Sequence, residues 1–362
     1  MRHRCYGPVS YRRALGNSLN IPAVRVLASI GGAPVLAERL RAWGITTLGQ
    51  PAAEYGLGLT IGNAEVRLLE LTNAYAALAR LGEWRPWRVV PAALNVQRPT
   101  FNAQRSKTEC AWLIADMMSD NSARMLAFGA NSALRFDFPV ACKTGTSTDF
   151  RDNWAMGFTP EFTVGVWVGN FDGSPMREVS GVTGAGPILH AIFEHLHATR
   201  GTSWYERPAA IVERAVHPLT GRLLTASRTD GVREKFLRDH LPESETPDDY
   251  DANGKVKLGA EYQEWLASAE NSLPARASAD DARAALRLVA PLPGTTFLLD
   301  PDVPTSRRIT LSAIGSGPLV WESATLRCAD GRAEILEGEH RIGVRDPATG
   351  ERVETWIRVK SL

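Results

Sequence analysis

The sequence predicts an α+β fold, helices packed on an antiparallel sheet, followed by a small all-β sandwich. Three observations predict it. Segments with helical periodicity fill residues 10 to about 120, and short strands rich in aromatic and β-branched residues follow. An acidic, turn-rich stretch, "PESETPDDYDANGK", interrupts the pattern. From about residue 286 the chain reads as short alternating strands, with "DG" and "ATGE" marking turns between them. The expected divisions are therefore residues 1–200, a linker and irregular connecting region over 201–285, and a β-sandwich over 286–362.

The elements follow in order. "SYRRALGNSLN" predicts a short helix capped by Ser10. "IPAVRVLASIGG" has Pro22 at its start and glycine at its end, the usual helix asymmetry. "PVLAERLRAWG" is a third helix. "NAEVRLLELTNAYAALARLG" is long and amphipathic, with Asn63 as cap and Gly82 as stop. "KTECAWLIADMMSD" is another helix with an apolar face. "FPVACKTGT", "NWAMGFTP" and "EFTVGVWVGN" are strands, and the last two meet at "TPE" as a hairpin. "GPILHAIFEHLHAT" returns to helix. Residues 201–285 hold only weak elements such as "AEYQEWLASAE". "LRLVAPLPGTTFLLD", "RRITLSAIG", "LVWESATLRCADGRAEILE" and "GEHRIGVRDPATGERVETWIRV" carry the strands of the sandwich. No repeat period of 20 to 50 residues is present.

Composition excludes several classes of function. Net charge is +1, so nothing global favours nucleic acid as a partner. Cys5, Cys110, Cys142 and Cys328 are far apart, with no CxxC and no close histidine pair, so neither a zinc site nor any other metal is expected. His190, His195 and His197 lie close together; His190 and His197 are seven apart and share a helical face, and they read as solvated or core histidines. No organic cofactor is implied. No stretch approaches 18 apolar residues, and "MRHRCYGPVSYRR" has no apolar region behind its charges, so neither a membrane anchor nor a signal peptide is expected.

Two short stretches carry chemistry. The chain has six lysines against 35 arginines, yet Lys143 stands in Lys143-Thr144-Gly145-Thr146-Ser147, with a strand before it and a hairpin after it. An edge strand can pair its backbone with an extended peptide. Gly145 lets that peptide approach closely. Thr144 and Thr146 offer hydroxyls to a carboxylate or carbonyl, and Lys143 adds positive charge. The competing reading is a surface strand with a solvated lysine. The second stretch is Ser18-Leu19-Asn20, between two helices and 125 residues before Lys143. A serine hydroxyl can relay a proton, and an asparagine amide can hold a carbonyl and a lysine. The competing reading is helix capping, to which Ser and Asn are well suited.

Taken together these stretches resemble the class A penicillin-binding proteins, in their C-terminal part. "RRALGNSLNIPAVRV" resembles the second motif of the family, with leucine in the middle as class A members allow. "CKTGTSTDFRDNWAMGFTPEFTVGVWVGN" resembles the third motif and its hairpin, and "TGAGPILHAIFEHL" the closing helix. "PLPGTTFLLDPDVPTSRRITLSA", "DG" and "GEHRIGVRD" resemble a β-sandwich module appended in one branch of the class. The likeness covers nearly the whole chain, least firmly 201–285. It implies a serine β-lactamase/transpeptidase-like fold and acyl transfer between peptidoglycan stem peptides ending in D-Ala-D-Ala, with β-lactams as ligands. Ser18 would be the proton relay, Asn20 the carbonyl and lysine orienter, and Lys143, Thr144 and Thr146 the binders of the terminal carboxylate, with Gly145 in the same substrate-binding strand. It also implies the periplasmic face of the inner membrane and cell-wall synthesis proteins as partners of the sandwich.

The chain departs from the family in one respect. The residues three before Lys107, Lys143, Lys235, Lys255, Lys257 and Lys360 are Gln104, Val140, Val232, Ala252, Gly254 and Ile357, so no S-x-x-K is present. Its first residue falls after the place of that motif, and the family's membrane anchor and glycosyltransferase domain do not precede it. The expectation is a transpeptidase domain truncated at its N-terminus, without its nucleophile, inactive alone and with apolar surface exposed on its first helices. The alternatives are a non-catalytic peptidoglycan- or partner-binding protein, which the missing S-x-x-K favours, and a serine β-lactamase or carboxypeptidase, against which the sandwich and "NSLNIPAV" argue.

Overall fold

A computed structural model describes residues 5–89, 107–177, 179–225, 230–273, 275–279, 286–300, 304–315 and 318–361. Helix α1 (Tyr11–Gly16) starts at Ser10, whose hydroxyl accepts the Arg13 N–H at 3.3 Å. Helix α2 (Asn20–Ser29) begins two residues before Pro22, which still lies in the first turn, where its missing N–H costs nothing. Helix α3 (Ala33–Ala42) and the short α4 (Ala52–Tyr55) follow, then a 3-10 segment, Gly56–Ile61. Helix α5 (Leu68–Ala79) starts later than its sequence suggests. Asn63 is not its cap, because its amide donates to Tyr55 O at 2.7 Å and ties down the 3-10 segment instead. Gly82 does close it, at φ +95°, donating its N–H to Ala77 O at 2.8 Å. Helices α6 (Thr108–Ser119) and α7 (Met125–Phe128) lead into the sheet.

Strands β1 (Ala141–Thr146), β2 (Asp152–Phe158) and β3 (Thr163–Gly169) form an antiparallel sheet in the order β1-β2-β3, and α8 (Ala185–Arg200) closes it. The sheet is covered on both faces. On one, Cys142, Ala155 and Val166 pack with Leu189 and Phe193 of α8. On the other, Ala141 and Phe158 pack with Ala79 of α5 and with Ala115 and Met118 of α6. Gly165 makes the second contact close, since a Cβ there would stand 2.1 Å from Thr72 Oγ1. The histidines of α8 serve this packing. His197 is buried between Thr159 Oγ1 and Gly201 O, and His190 bonds Ala133 O and stacks on Phe136. His195 is exposed. Among the described residues no group of His, Cys, Asp or Glu is arranged to hold a metal ion. Tyr11, Ile21 and Ile30 of the first two helices and their ends are exposed.

Residues 201–285, expected as an irregular connection, hold regular structure. Strands β4 (Ile211–Val216) and β5 (Val232–Leu237) form an antiparallel hairpin. Strands β6 (Val256–Leu258) and β7 (Ala277–Ala279) pair in parallel, and α9 (Gln263–Ala267) brings Trp265 into a small core with Val256, Leu258 and Ala277. The hairpin reads as polar in the sequence because two of its charges, Glu234 and Lys235, face α1 and α6 rather than water. Arg12 reaches Glu234 at 2.6 Å and Asp116 at 2.7 Å, and Lys235 reaches Asp116 at 2.5 Å.

The remaining strands are β8 (Arg287–Ala290), β9 (Thr295–Leu299), β10 (Arg308–Thr310), β11 (Ser312–Ile314), β12 (Val320–Glu322), β13 (Arg327–Ala329), β14 (Arg332–Glu334), β15 (Gly338–Arg345) and β16 (Arg352–Ser361). One sheet runs β12-β15-β16-β9, another β10-β14-β13, and β8 pairs with β11. Ile342, Ile357 and Val359 of the first meet Ile309, Ala333 and Ile335 in and beside the second, which makes a sandwich core. The "DG" turn is Asp330-Gly331, both at positive φ, joining β13 to β14. Pairing of β9 with β16 is parallel. The expected boundary at 285 lies outside the described residues.

Candidate active site

Ser18 lies in the three-residue connection between α1 and α2. It is exposed and takes φ +55°, a left-handed conformation that costs a non-glycine residue about 1 kcal/mol. The preceding residue, Asn17, is only 4% exposed. Its amide donates to Arg13 O at 2.8 Å and Ala123 O at 2.6 Å, and its oxygen accepts the Ala127 N–H at 2.8 Å.

Lys143 lies on β1 opposite Met156. Its ammonium donates to Ser18 Oγ at 2.7 Å and to Thr144 O at 2.6 Å. Burial pushes its pKa down to about 8 from the ordinary 10.5, with the charge of Arg124 adding to that and the neighbouring Cys142 opposing it. Arg124 is 4% exposed. Its guanidinium donates to Leu134 O at 3.0 Å, to Cys142 Sγ at 2.5 Å, to Asp120 O at 3.4 Å and to Met118 O. Its partners are thus carbonyls and a thiol, not a carboxylate. Burial pushes the Cys142 thiol up against the pull of Arg124. A cavity of about 260 Å³ next to Arg124 is lined by neither Ser18 nor Lys143.

The other expected site residues are placed differently. Side chains alternate along a strand, so Thr144 and Thr146 share the face of Cys142, towards α8, and point away from the Lys143 ammonium. Thr146 Oγ1 accepts the Gly181 N–H at 2.9 Å. A Cβ at Gly181 would stand 2.5 Å from Gly145 O and 3.1 Å from Thr144 Cβ, so the turn before α8 closes directly on β1. Gly145 itself faces ordinary space, 3.5 Å from Trp154 Cβ, on the side of Lys143. Asn20 is exposed at the first position of α2, and among the described residues its amide makes no hydrogen bond. The structure therefore joins Ser18 to Lys143 and brings neither Asn20 nor the two threonine hydroxyls onto that pair. After the motif, Asp149 and Phe150 take consecutive φ values of +57° and +58°, held by Phe150 N–H to Ser147 O at 3.2 Å.

Asn17 and Arg124 belong to no motif in the sequence. Asn17 carried a weak signal, an asparagine just past a helix end. Arg124, in "SARMLAFG", carried none, since one arginine among 35 says nothing of burial.

This arrangement supplies an amine of lowered pKa within hydrogen-bond reach of a hydroxyl, beside a strand that is at the edge of its sheet. A lysine–serine pair of this kind passes protons, and its charged form attracts an anion. No family model matches the chain. It is 30% identical over 304 residues to penicillin-binding protein 1C of Escherichia coli (strain K12), covering 84% of this chain and 37% of that protein. It is 35% identical over 171 residues to penicillin-binding protein 1A of Aquifex aeolicus (strain VF5), covering 45% of this chain and 22% of that protein. It thus spans well under half the length of these relatives. The crystal structure of penicillin-binding protein 1A from Haemophilus influenzae superposes with a TM-score of 0.54 at 22% identity, over 66% of this chain and 41% of that one, which shows a shared fold. With 30% identity to penicillin-binding protein 1C over 84% of its length, the chain belongs to the penicillin-binding protein family.

Proposed function

We propose that this chain is a fragment of a D,D-transpeptidase of the 1C type, part of a bifunctional glycosyltransferase/transpeptidase that cross-links peptidoglycan in the cell envelope, and that it is inactive alone. The observation that carries this reading is the 2.7 Å contact of Lys143 Nζ with Ser18 Oγ, which joins two motifs 125 residues apart. The ligand is an extended stem peptide ending in D-Ala-D-Ala. Lys143 attracts its terminal carboxylate, and the edge of β1 takes its backbone beside Gly145, which adds no side chain there. Ser18 relays a proton, and Asn20, unengaged at the start of α2, turns its amide to the peptide carbonyl once peptide is bound. Without S-x-x-K there is no activated serine to attack that carbonyl.

The test is a titration with a D-Ala-D-Ala peptide followed by NMR shifts, comparing the native chain with Lys143→Ala. Loss of the lysine is expected to weaken binding about tenfold, equivalent to about 1.4 kcal/mol. Equal shifts in both would remove the lysine from the site. Binding to the native chain is also expected to weaken as pH rises through about 8, because the free ammonium then loses the proton that carries its charge. Binding unchanged from pH 6.5 to 9.5 would contradict this.

Residues 286–362 are proposed as a separate module that meets cell-wall synthesis proteins. Their core, from Ile309 to Val359, lies within that span, which supports independent folding. Their ion pairs to the preceding helices, Arg358 and Lys360 with Glu54, involve partly exposed groups. Expressed alone, the piece is expected to give a β-type circular dichroism spectrum and a cooperative melt. A random-coil spectrum would refute it.

A further inference from the structure

Ser18 is exposed, in a strained loop, yet its hydroxyl meets an ammonium from a distant strand. The path between them runs through residues 120–127. Gly16 packs on this segment so closely that a Cβ would stand 3.1 Å from the Ala123 carbonyl carbon. Asn17 spends both amide hydrogens and its oxygen there and on its own helix. Asp120 holds the segment in shape by accepting the Ser122 and Ala123 N–H groups, and Arg12 of α1 reaches Asp120 at 3.3 Å. From the same segment Arg124 reaches inward to Cys142, the neighbour of Lys143 on β1. Ser18 and Lys143 are therefore each next in sequence to a buried, hydrogen-bonded side chain, Asn17 and Cys142, and both of these are tied to one segment.

We propose that Asn17 and Arg124 are positioning residues which, through residues 120–127, hold Ser18 Oγ against Lys143 Nζ. The inference rests on reading that pair as the site. Its rival is simpler: Asn17 only finishes α1, and Arg124 only fills the core. Both readings predict lost stability on substitution, so stability does not separate them. Coupling between Ser18 and Lys143 does.

The chain has six lysines, so lysine labelled with carbon-13 at Cε gives few resonances, and Lys143→Arg assigns the one that matters. The measurement is the pH midpoint of that resonance in the whole chain, without peptide, so peptide binding can fail independently. Ser18→Ala is expected to lower the midpoint by roughly half a pH unit, because it removes an acceptor that favours the ammonium. In an Asn17→Ala or Arg124→Met background, the same Ser18→Ala change is expected to leave the midpoint unmoved. Arg124→Met by itself is expected to raise the midpoint, since Arg124 and Cys142 are the charged or titratable groups acting on Lys143. Where either variant fails to melt cooperatively, Asn17→Asp keeps the acceptor for Ala127 N–H and Arg124→Lys keeps the charge. A full Ser18→Ala shift in both backgrounds, or no shift in the native chain, overturns the proposal.

Discussion

Incubated with a fluorescent penicillin and weighed intact, this chain is expected to keep its unmodified mass. The argument is chemical and does not depend on affinity. Acylation needs a serine whose proton is taken by a nearby base as the carbonyl is attacked. In the S-x-x-K pattern one helical turn supplies both groups, and this sequence contains no such pair. Ser18 is the evident substitute, 2.7 Å from Lys143 Nζ. That lysine would then have to be base and anion binder at once, and a neutral amine does not attract the ligand carboxylate. Removing the nucleophile from a unit of this kind costs on the order of a millionfold in rate, and the remaining members do not restore it. An adduct mapped to Ser18, or to any other serine, would show that the remaining groups assemble a working nucleophile.

Replacing Phe193 with alanine is expected to destabilise the fold by about 3–5 kcal/mol. The ring is 0% exposed on α8 and packs among Leu134, Phe136, Val140, Ala155 and Val166. Phe136 meets it edge-on at 5.8 Å and 84°. On the sheet side it rests on Gly157, where a Cβ would stand 2.8 Å from its Cε2, so no side chain of that residue can move in to fill the space. Phe193→Leu keeps part of the volume and is expected to lose less. Urea unfolding of the whole chain, read by tryptophan fluorescence, checks both. A loss under 1 kcal/mol for the alanine variant would mean that α8 is not a principal support of the sheet carrying Lys143.

Much of the fold was legible because it follows local rules. Ser10 as a cap, glycines after α2 and α5, the hairpin at "TPE" and the "DG" turn each express a preference that acts within a few residues. Misreadings arose where a side chain was claimed by something distant in sequence or by a neighbouring element. Asn63 looks like a helix cap, but Tyr55 O takes its amide. The hairpin β4–β5 looks like a polar linker, because the partners of Glu234 and Lys235 are Arg12 and Asp116, more than a hundred residues earlier. The parallel pairing of β9 with β16 joins segments about 60 residues apart, which no periodicity reports.

The site divides in the same way. By itself the sequence determined that Lys143 stands on a strand, that Ser18 stands between two helices, and that no serine precedes any lysine by three residues, since these are matters of residue type and spacing. Only the tertiary structure decided that the two motifs touch, that Thr144 and Thr146 face away from the ammonium, and that the lysine is a weaker base than usual. The physical reason is that a hydrogen bond between residues 125 apart depends on how the chain between them folds, and here residues 120–127 bond to Asn17 on one side and, through Arg124, to Cys142 on the other. Burial and a neighbouring charge set the pKa of Lys143, and both exist only once the chain has folded around it.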